Sequence, residues 1–230
     1  MITTQVIADS INPAGDRITT GLWTYQRFIH SEIMTHRMLA KNSASSRAIP
    51  VEKMIAAVRE NPAMFEQYGR ANKGMEAQEL MSGDDTAIFK YWWLKTCEDA
   101  AGRAQSLKEM AAKQLVNRML EPWMHMTVII TGTDWHNFFA LRAHPAAQPE
   151  FQVLAYRWLD AYLKSEPVKM DWGAWHLPLV SGTTHQIPDL AKQLSVARCA
   201  RVSYTRHDAE DTPEKCKALH DRLLESGHMS

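Results

Sequence analysis

The chain has 230 residues, 45% of them hydrophobic, which suits a single domain with a sizeable core. Lysines and arginines number 26, as do aspartates and glutamates, so no global field recruits nucleic acid. The three cysteines (Cys97, Cys199, Cys216) form no CxxC pair, which argues against zinc and against a disulfide scaffold. No metal site is expected. No signal peptide and no bilayer-spanning run are seen, so a reducing cytoplasm is the expected compartment.

Residues 3–10 and 17–25 read as two strands. The link Asn12-Pro13-Ala14-Gly15-Asp16 has turn chemistry, which predicts a hairpin. Residues 26–37 carry Phe28, Ile29, Ile33 and Met34 at helical spacing. That predicts a helix with His36 and Arg37 in its last turn, where a cation suits the dipole.

A polar loop is expected next, closed by Pro50 at the start of a helix that buries Met54, Ile55 and Val58. Asn61-Pro62 ends it, and residues 63–83 read as irregular. A long helix is predicted from Asp85 to Leu107. A second is predicted over 108–123, with Met110, Leu115 and Met119 facing the core, and Gln114 and Arg118 sharing another face.

Residues 125–131 read as a buried strand, followed by a turn at Gly132-Thr133-Asp134 and an element carrying Asn137 and Arg142. From Glu150, the residues Phe151, Leu154, Ala155, Trp158, Leu159 and Tyr162 predict an amphipathic helix. Residues 165–188 read as a long ordered loop able to act as a lid. Its His176 and His185 lack metal-ligand spacing. A short helix over 189–198 and a short strand over 199–204 come next. Thr212-Pro213-Glu214 starts a last helix, carrying Leu219, Leu223 and Leu224, that Gly227 ends. Helices and strands mix without regular βαβ alternation, so the fold class is α+β.

The stretch 35–50, THRMLAKNSASSRAIP, concentrates donors with few acceptors. Arginine supplies a planar fork suited to phosphate and lysine a point charge. Serine hydroxyls and backbone N–H groups can complete an anion cradle. On composition alone, a solvated loop between two helices fits equally well.

Four stretches together decide between these, because they resemble the flavin-dependent thymidylate synthases. That family has Arg-His-Arg, seven residues, Ser, and an Arg two positions on. Here Thr35-His36-Arg37, seven residues, Ser45 and Arg47 follow the frame. NFFALRAHPAAQPE is similar to the family's Asn-Phe-x-x-Leu-Arg and Ala-Gln-x-Glu segment. KQLVNRMLEP resembles its Arg before Leu-x-Pro. ARVSY with LLESGHMS resembles its Val-Ser-Tyr and Gly-His-x-Ser region.

Three departures stand out. Thr35 replaces the first hallmark Arg, and Ser43 replaces a family Glu. The fourth stretch lies at the C-terminal end instead of the N-terminal one, as a circular permutation would place it. The family's Pro-Phe-Glu-His would follow Ser230, so a truncated C-terminus is one expectation.

The resemblance implies one domain over residues 1–230, with a mixed sheet packed against long helices in a homotetramer whose active sites are shared between subunits. It implies methylation of dUMP to dTMP, with methylenetetrahydrofolate as carbon donor and FAD, reduced by NADPH, as hydride source. Carried over position by position, Ser45, Ser46, Arg47 and Arg118 match dUMP phosphate ligands. Arg142 matches the arginine that stabilises the ionised pyrimidine, the one catalytic assignment. His36, Arg37, Asn42 and Asn137 match FAD contacts. Ser45 has no base beside it in sequence and is assigned binding only. Two alternatives remain: a pyrimidine nucleotide hydroxymethylase, and an inactive flavin- or nucleotide-binding homologue.

Overall fold

In the computed structural model the described residues are 1–73, 77, 79–180, 188–203 and 211–228. Strands β1 (Thr3–Ile11) and β2 (Arg17–Gln26) form the expected antiparallel hairpin. The Asn12 side chain closes its turn by accepting from the Asp16 N–H at 2.8 Å. A 3-10 turn (Arg27–Ile29) leads into α1 (His30–Met34), then β3 (Ala40–Ser43) and α2 (Val51–Glu60). Helix α3 (Gly83–Leu107) follows, then α4 (Lys113–Val116), a 3-10 turn (Asn117–Trp123) and β4 (His125–Gly132). The chain continues through α5 (His136–Arg142), α6 (Pro149–Lys164), β5 (Val168–Lys169), α7 (Pro188–Ala200) and α8 (Pro213–Glu225).

The strand order is β3-β4-β2-β1-β5, antiparallel except for the β1–β5 pair, so the α+β class holds. Alternation along β2 and β4 sends Trp23, Tyr25, Met126, Val128 and Ile130 to one face. There α5 and α6 cover them with Phe138, Phe151, Leu154 and Trp158. Gly21 is required at this contact: a Cβ would lie 2.6 Å from Trp23 Nε1 and 2.7 Å from the Trp158 ring. Hydrogen bonds tie two segments to the other side of the sheet. His176 lies 2.9 Å from Ser10 Oγ and 2.8 Å from Thr20 Oγ1, and Asn42 donates to the Cys199 carbonyl. A second core joins α2, α3 and the 117–123 turn through Val58, Cys97, Ala101, Ala104 and Leu120.

Four local expectations are corrected. The 26–37 helix stops at Met34, because the Thr35 N–H and hydroxyl both turn back onto the Glu32 carbonyl, at 3.1 and 2.6 Å. His36 and Arg37 therefore sit in a turn beyond the helix, braced by the Lys41 ammonium, which donates to the His36 and Leu39 carbonyls. The polar stretch is not all loop: residues 40–43 pair with the edge of β4, which satisfies their backbone. The 108–123 helix breaks at Ala112, which is extended, and tightens into 3-10 geometry around Pro122. Met110 and Leu115 are consequently exposed, and Val116 and Leu120 face the core instead. Residues 199–203 are not a strand, since α7 runs on to Ala200 and a turn follows. Tyr204 and His185 lie outside the described residues.

The last helix begins as expected, with Thr212 accepting from the Lys215 N–H, and Gly227 follows it at φ +66°. Its buried anchor is Cys216, while Leu224 is exposed.

Candidate active site

Two groups of the singled-out residues lie at opposite ends of β3. At its start, a cavity of about 200 Å³ is lined by His36, Arg37, Asn137 and Arg142, with Asp134 and Phe138 and an apolar rim of Met38 and Leu141. The hairpin, α1 and β3 deliver His36 and Arg37, and α5 delivers Asn137 and Arg142, five positions apart along it. Trp135 and Phe138 are buried and anchor α5 to the core, and Phe138 also forms the cavity's inner wall beside Asn137, Leu141 and Arg142.

Arg142 is held from three sides. Its Nε donates to His36 Nε2 at 3.0 Å, its Nη1 donates to Glu32 at 3.1 Å, and its guanidinium lies 4.3 Å from the centre of the Phe151 ring. No partner among the described residues takes Nη2. Burial first, then the neighbouring Arg142 and Lys41 charges, lower the His36 pKa to about 4, so the ring is neutral at pH 7. Because Nε2 accepts from Arg142, the proton must sit on Nδ1. His36 thus offers one defined N–H donor. Its ring packs edge-on against Phe138 and Phe151. Arg37 is exposed, with no side-chain partner among the described residues.

At the other end of β3, residues 44–49 form the second group. The Ser203 hydroxyl accepts from the Ser45 N–H at 2.7 Å, and the Ser45 hydroxyl accepts from the Arg47 N–H at 3.3 Å. Ser46 is buried. The fully buried Asn117 donates to the Ser46 and Ile49 carbonyls at 2.8 and 3.0 Å, which fixes this loop to the turn carrying Arg118. The Arg47 side chain is exposed and has no partner among the described residues. Arg118 is exposed too and pairs with Glu121 at 3.3 Å. Asn42 lines neither the cavity nor this loop's rim, since its amide is spent on the Cys199 carbonyl. A separate cavity of about 370 Å³ lies behind the loop, bounded by Ile49, Lys53, Met54, Trp123 and Ser203.

Residues 18–168 match the family model described as thymidylate synthase complementing protein. The chain belongs to this family. The matched range runs from β2 to β5 and contains both residue groups. Solved structures with the same fold include the UMP/dUMP methylase PolB from Streptomyces cacaoi bound with 5-Br dUMP. It is 16% identical with a TM-score of 0.57, over 71% of this chain and 91% of that chain. The same methylase bound with 5-Br UMP gives 16% identity and a TM-score of 0.58, over 71% of this chain and 89% of that one. A search of curated proteins finds no match.

Residues 169–230 lie outside the family match, yet Cys199 and Ser203 touch Asn42 and Ser45 in the family's hallmark stretch. Sequence reasoning did not find Glu32, Asn117 or Ser203. Glu32 stands four positions before His36, so its place at the end of a helix facing the cavity was open to inspection. Asn117 and Ser203 lie inside the stretches KQLVNRMLEP and ARVSY, but their partners are 71 and 158 positions away, so the stretches gave no sign of what the two side chains hold.

The donor set fits part of a flavin. Arg37 is an exposed cation, Asn137 an exposed amide, His36 a fixed N–H donor, and Met38 and Leu141 give an apolar rim. A cavity of about 200 Å³ takes one ring system and not a whole dinucleotide. No cluster of metal-ligating side chains occurs among the described residues.

Proposed function

We propose that this protein methylates dUMP to dTMP, with methylenetetrahydrofolate as carbon donor and FAD, reduced by NADPH, as hydride source. The observation that carries the reading is the convergence of His36, Arg37, Asn137 and Arg142, drawn from two distant segments, on one cavity in a chain of this family. FAD, when bound, supplies the hydride chemistry.

The chain's own residues bind and orient. Arg142 faces the pyrimidine and stabilises negative charge on it, which makes C5 a better nucleophile. Neutral His36 donates from Nδ1, and Arg37 and Asn137 complete the flavin contacts. Ser45, Ser46 and Arg47 hold the phosphate, with Arg118 as a further cation once it leaves Glu121. Asn42 acts indirectly, by fixing β3 to α7.

The four residues of β3 place roughly 13 Å between the two groups. One nucleotide bridges them most simply when the phosphate loop comes from a second subunit. Exposed Ile88, Tyr91 and Trp92 on α3, with Met110 and Leu115, offer apolar surface for such contacts, and a homotetramer is the proposed assembly. Residues 1–230 act as one domain in this reading.

A second outcome of the same site is hydroxymethylation, in which water and not hydride quenches the one-carbon unit. Thr35 and Ser43 favour keeping it in view: the Thr35 hydroxyl is engaged with the Glu32 carbonyl, and neither residue brings the charge the family has there. The solved relative's name adds UMP beside dUMP as a substrate. A single-turnover reaction of the protein carrying reduced FAD, with methylenetetrahydrofolate and dUMP or UMP, tests all of these. Mass analysis should show a methyl group added to dUMP. A hydroxymethyl product would replace the methylation reading, and unchanged nucleotide would remove both.

A further inference from the structure

We propose that Glu32 is a positioning residue that, together with His36, sets the edge of Arg142 presented to the pyrimidine ring. This rests on the reading that a pyrimidine nucleotide meets Arg142.

The argument starts from the guanidinium's fixed geometry. It has five N–H donors in one plane, so fixing two of its nitrogens fixes the third. His36 takes Nε, Glu32 takes Nη1, and Phe151 covers one face. The plane and its rotation are then set, and Nη2 is left as the group with no partner among the described residues. An arginine on a short helix with only one partner would sample several rotamers. It would lose that freedom again on binding, at the expense of affinity.

Glu32 is itself held. Next to it, Ile33 is fully buried in the main core, and the Thr35 N–H and hydroxyl both donate to the Glu32 carbonyl. The side chain therefore leaves a fixed backbone and reaches Arg142 across 110 positions of sequence. Thr35 thus has a stated role where the family carries arginine: its hydroxyl closes α1 under Glu32. An ordinary surface ion pair contributes little. This one differs because Arg142 is about one-fifth exposed and shares its other contacts with the cavity wall.

The test separates ring recognition from phosphate recognition. The affinities of the full chain for dUMP and for 2-deoxyribose 5-phosphate are measured by calorimetry in wild type, Glu32→Ala and Glu32→Gln. The sugar phosphate has no pyrimidine ring and does not reach Arg142. Glu32→Ala should weaken dUMP about tenfold and leave the sugar phosphate unchanged. Glu32→Gln keeps an acceptor for Nη1 and should stay within about threefold of wild type for both.

The tautomer gives a readout independent of nucleotide. Ring ¹⁵N shifts of His36 should report Nδ1–H in wild type and Glu32→Gln, and a tautomer mixture in Glu32→Ala. Unchanged dUMP affinity in Glu32→Ala, or equal loss for both ligands, overturns the positioning role. A wild-type protein that binds dUMP no better than the sugar phosphate instead overturns the underlying reading of Arg142.

Discussion

Arg142 is where the chemistry concentrates. The charge it is proposed to stabilise grows towards the transition state, so its loss belongs in the chemical step. Arg142→Ala should lower turnover by about 2–4 kcal/mol of transition-state stabilisation, roughly 30- to 10³-fold, with a smaller change in dUMP affinity. Single-turnover oxidation of reduced flavin at saturating dUMP measures this, and a rate within a few-fold of wild type would remove Arg142 from catalysis. Arg142→Lys should rescue only in part, because an ammonium cannot reach His36, Glu32 and a ring together.

His36 carries the pH dependence at this scale. Its pKa falls from 6.5 in the unfolded chain to about 4 in the fold, so between those values the unfolded state binds more protons. The contribution of neutral His36 to stability is complete above pH 6.5 and is lost as pH falls towards 4. His36→Gln should flatten that part of the stability profile measured by denaturant titration. An unchanged slope between pH 6 and 4.5 would contradict a neutral, acceptor His36.

At the scale of elements, Asn117 shows how a loop is made rigid from outside itself. Two carbonyls of the 44–49 loop are satisfied by one buried amide. Asn117→Ala strands both, at a cost of about 1–3 kcal/mol of stability. It should also weaken deoxyribose 5-phosphate binding, since Ser45 and Arg47 then lose their fixed spacing. Full retention of phosphate affinity in a destabilised variant would show that the loop is ordered by β3 and Ser203 alone.

Elements with local signals were legible in sequence. The β1–β2 hairpin, α2, α3, β4, α6 and α8 carry their periodicity and caps within a few residues, as Thr212-Pro213 does for α8. The elements that were misread are those decided by distant partners. Residues 40–43 pair with β4 some 90 positions on, and α1 ends early through Thr35 and Lys41. The candidate site divides the same way. His36, Arg37, Asn137 and Arg142 were readable as residues, but their meeting in one cavity, and the separation of Arg47 from them, came only from the sheet order.

At the scale of the whole molecule, the separation of Arg142 from Arg47 makes a prediction about assembly. If each site draws its pyrimidine partner from one subunit and its phosphate loop from another, two inactive variants can complement each other. Arg47→Ala and Arg142→Ala, each nearly inactive alone, should regain activity when mixed under conditions that exchange subunits. Some of the hybrid sites then contain both wild-type arginines. No recovery, with exchange shown by mass spectrometry of the intact assembly, would place both arginines of a site in one chain.

The central claim is that bound FAD and dUMP meet at the His36–Arg142 cavity. The most direct measurement is the visible spectrum of the FAD-loaded protein, photoreduced without oxygen and then mixed with methylenetetrahydrofolate, with and without dUMP. Return of the oxidised flavin bands only when dUMP is present, and its loss in Arg142→Ala, is the predicted result. Failure of the protein to bind FAD, or reoxidation that ignores dUMP, would contradict it.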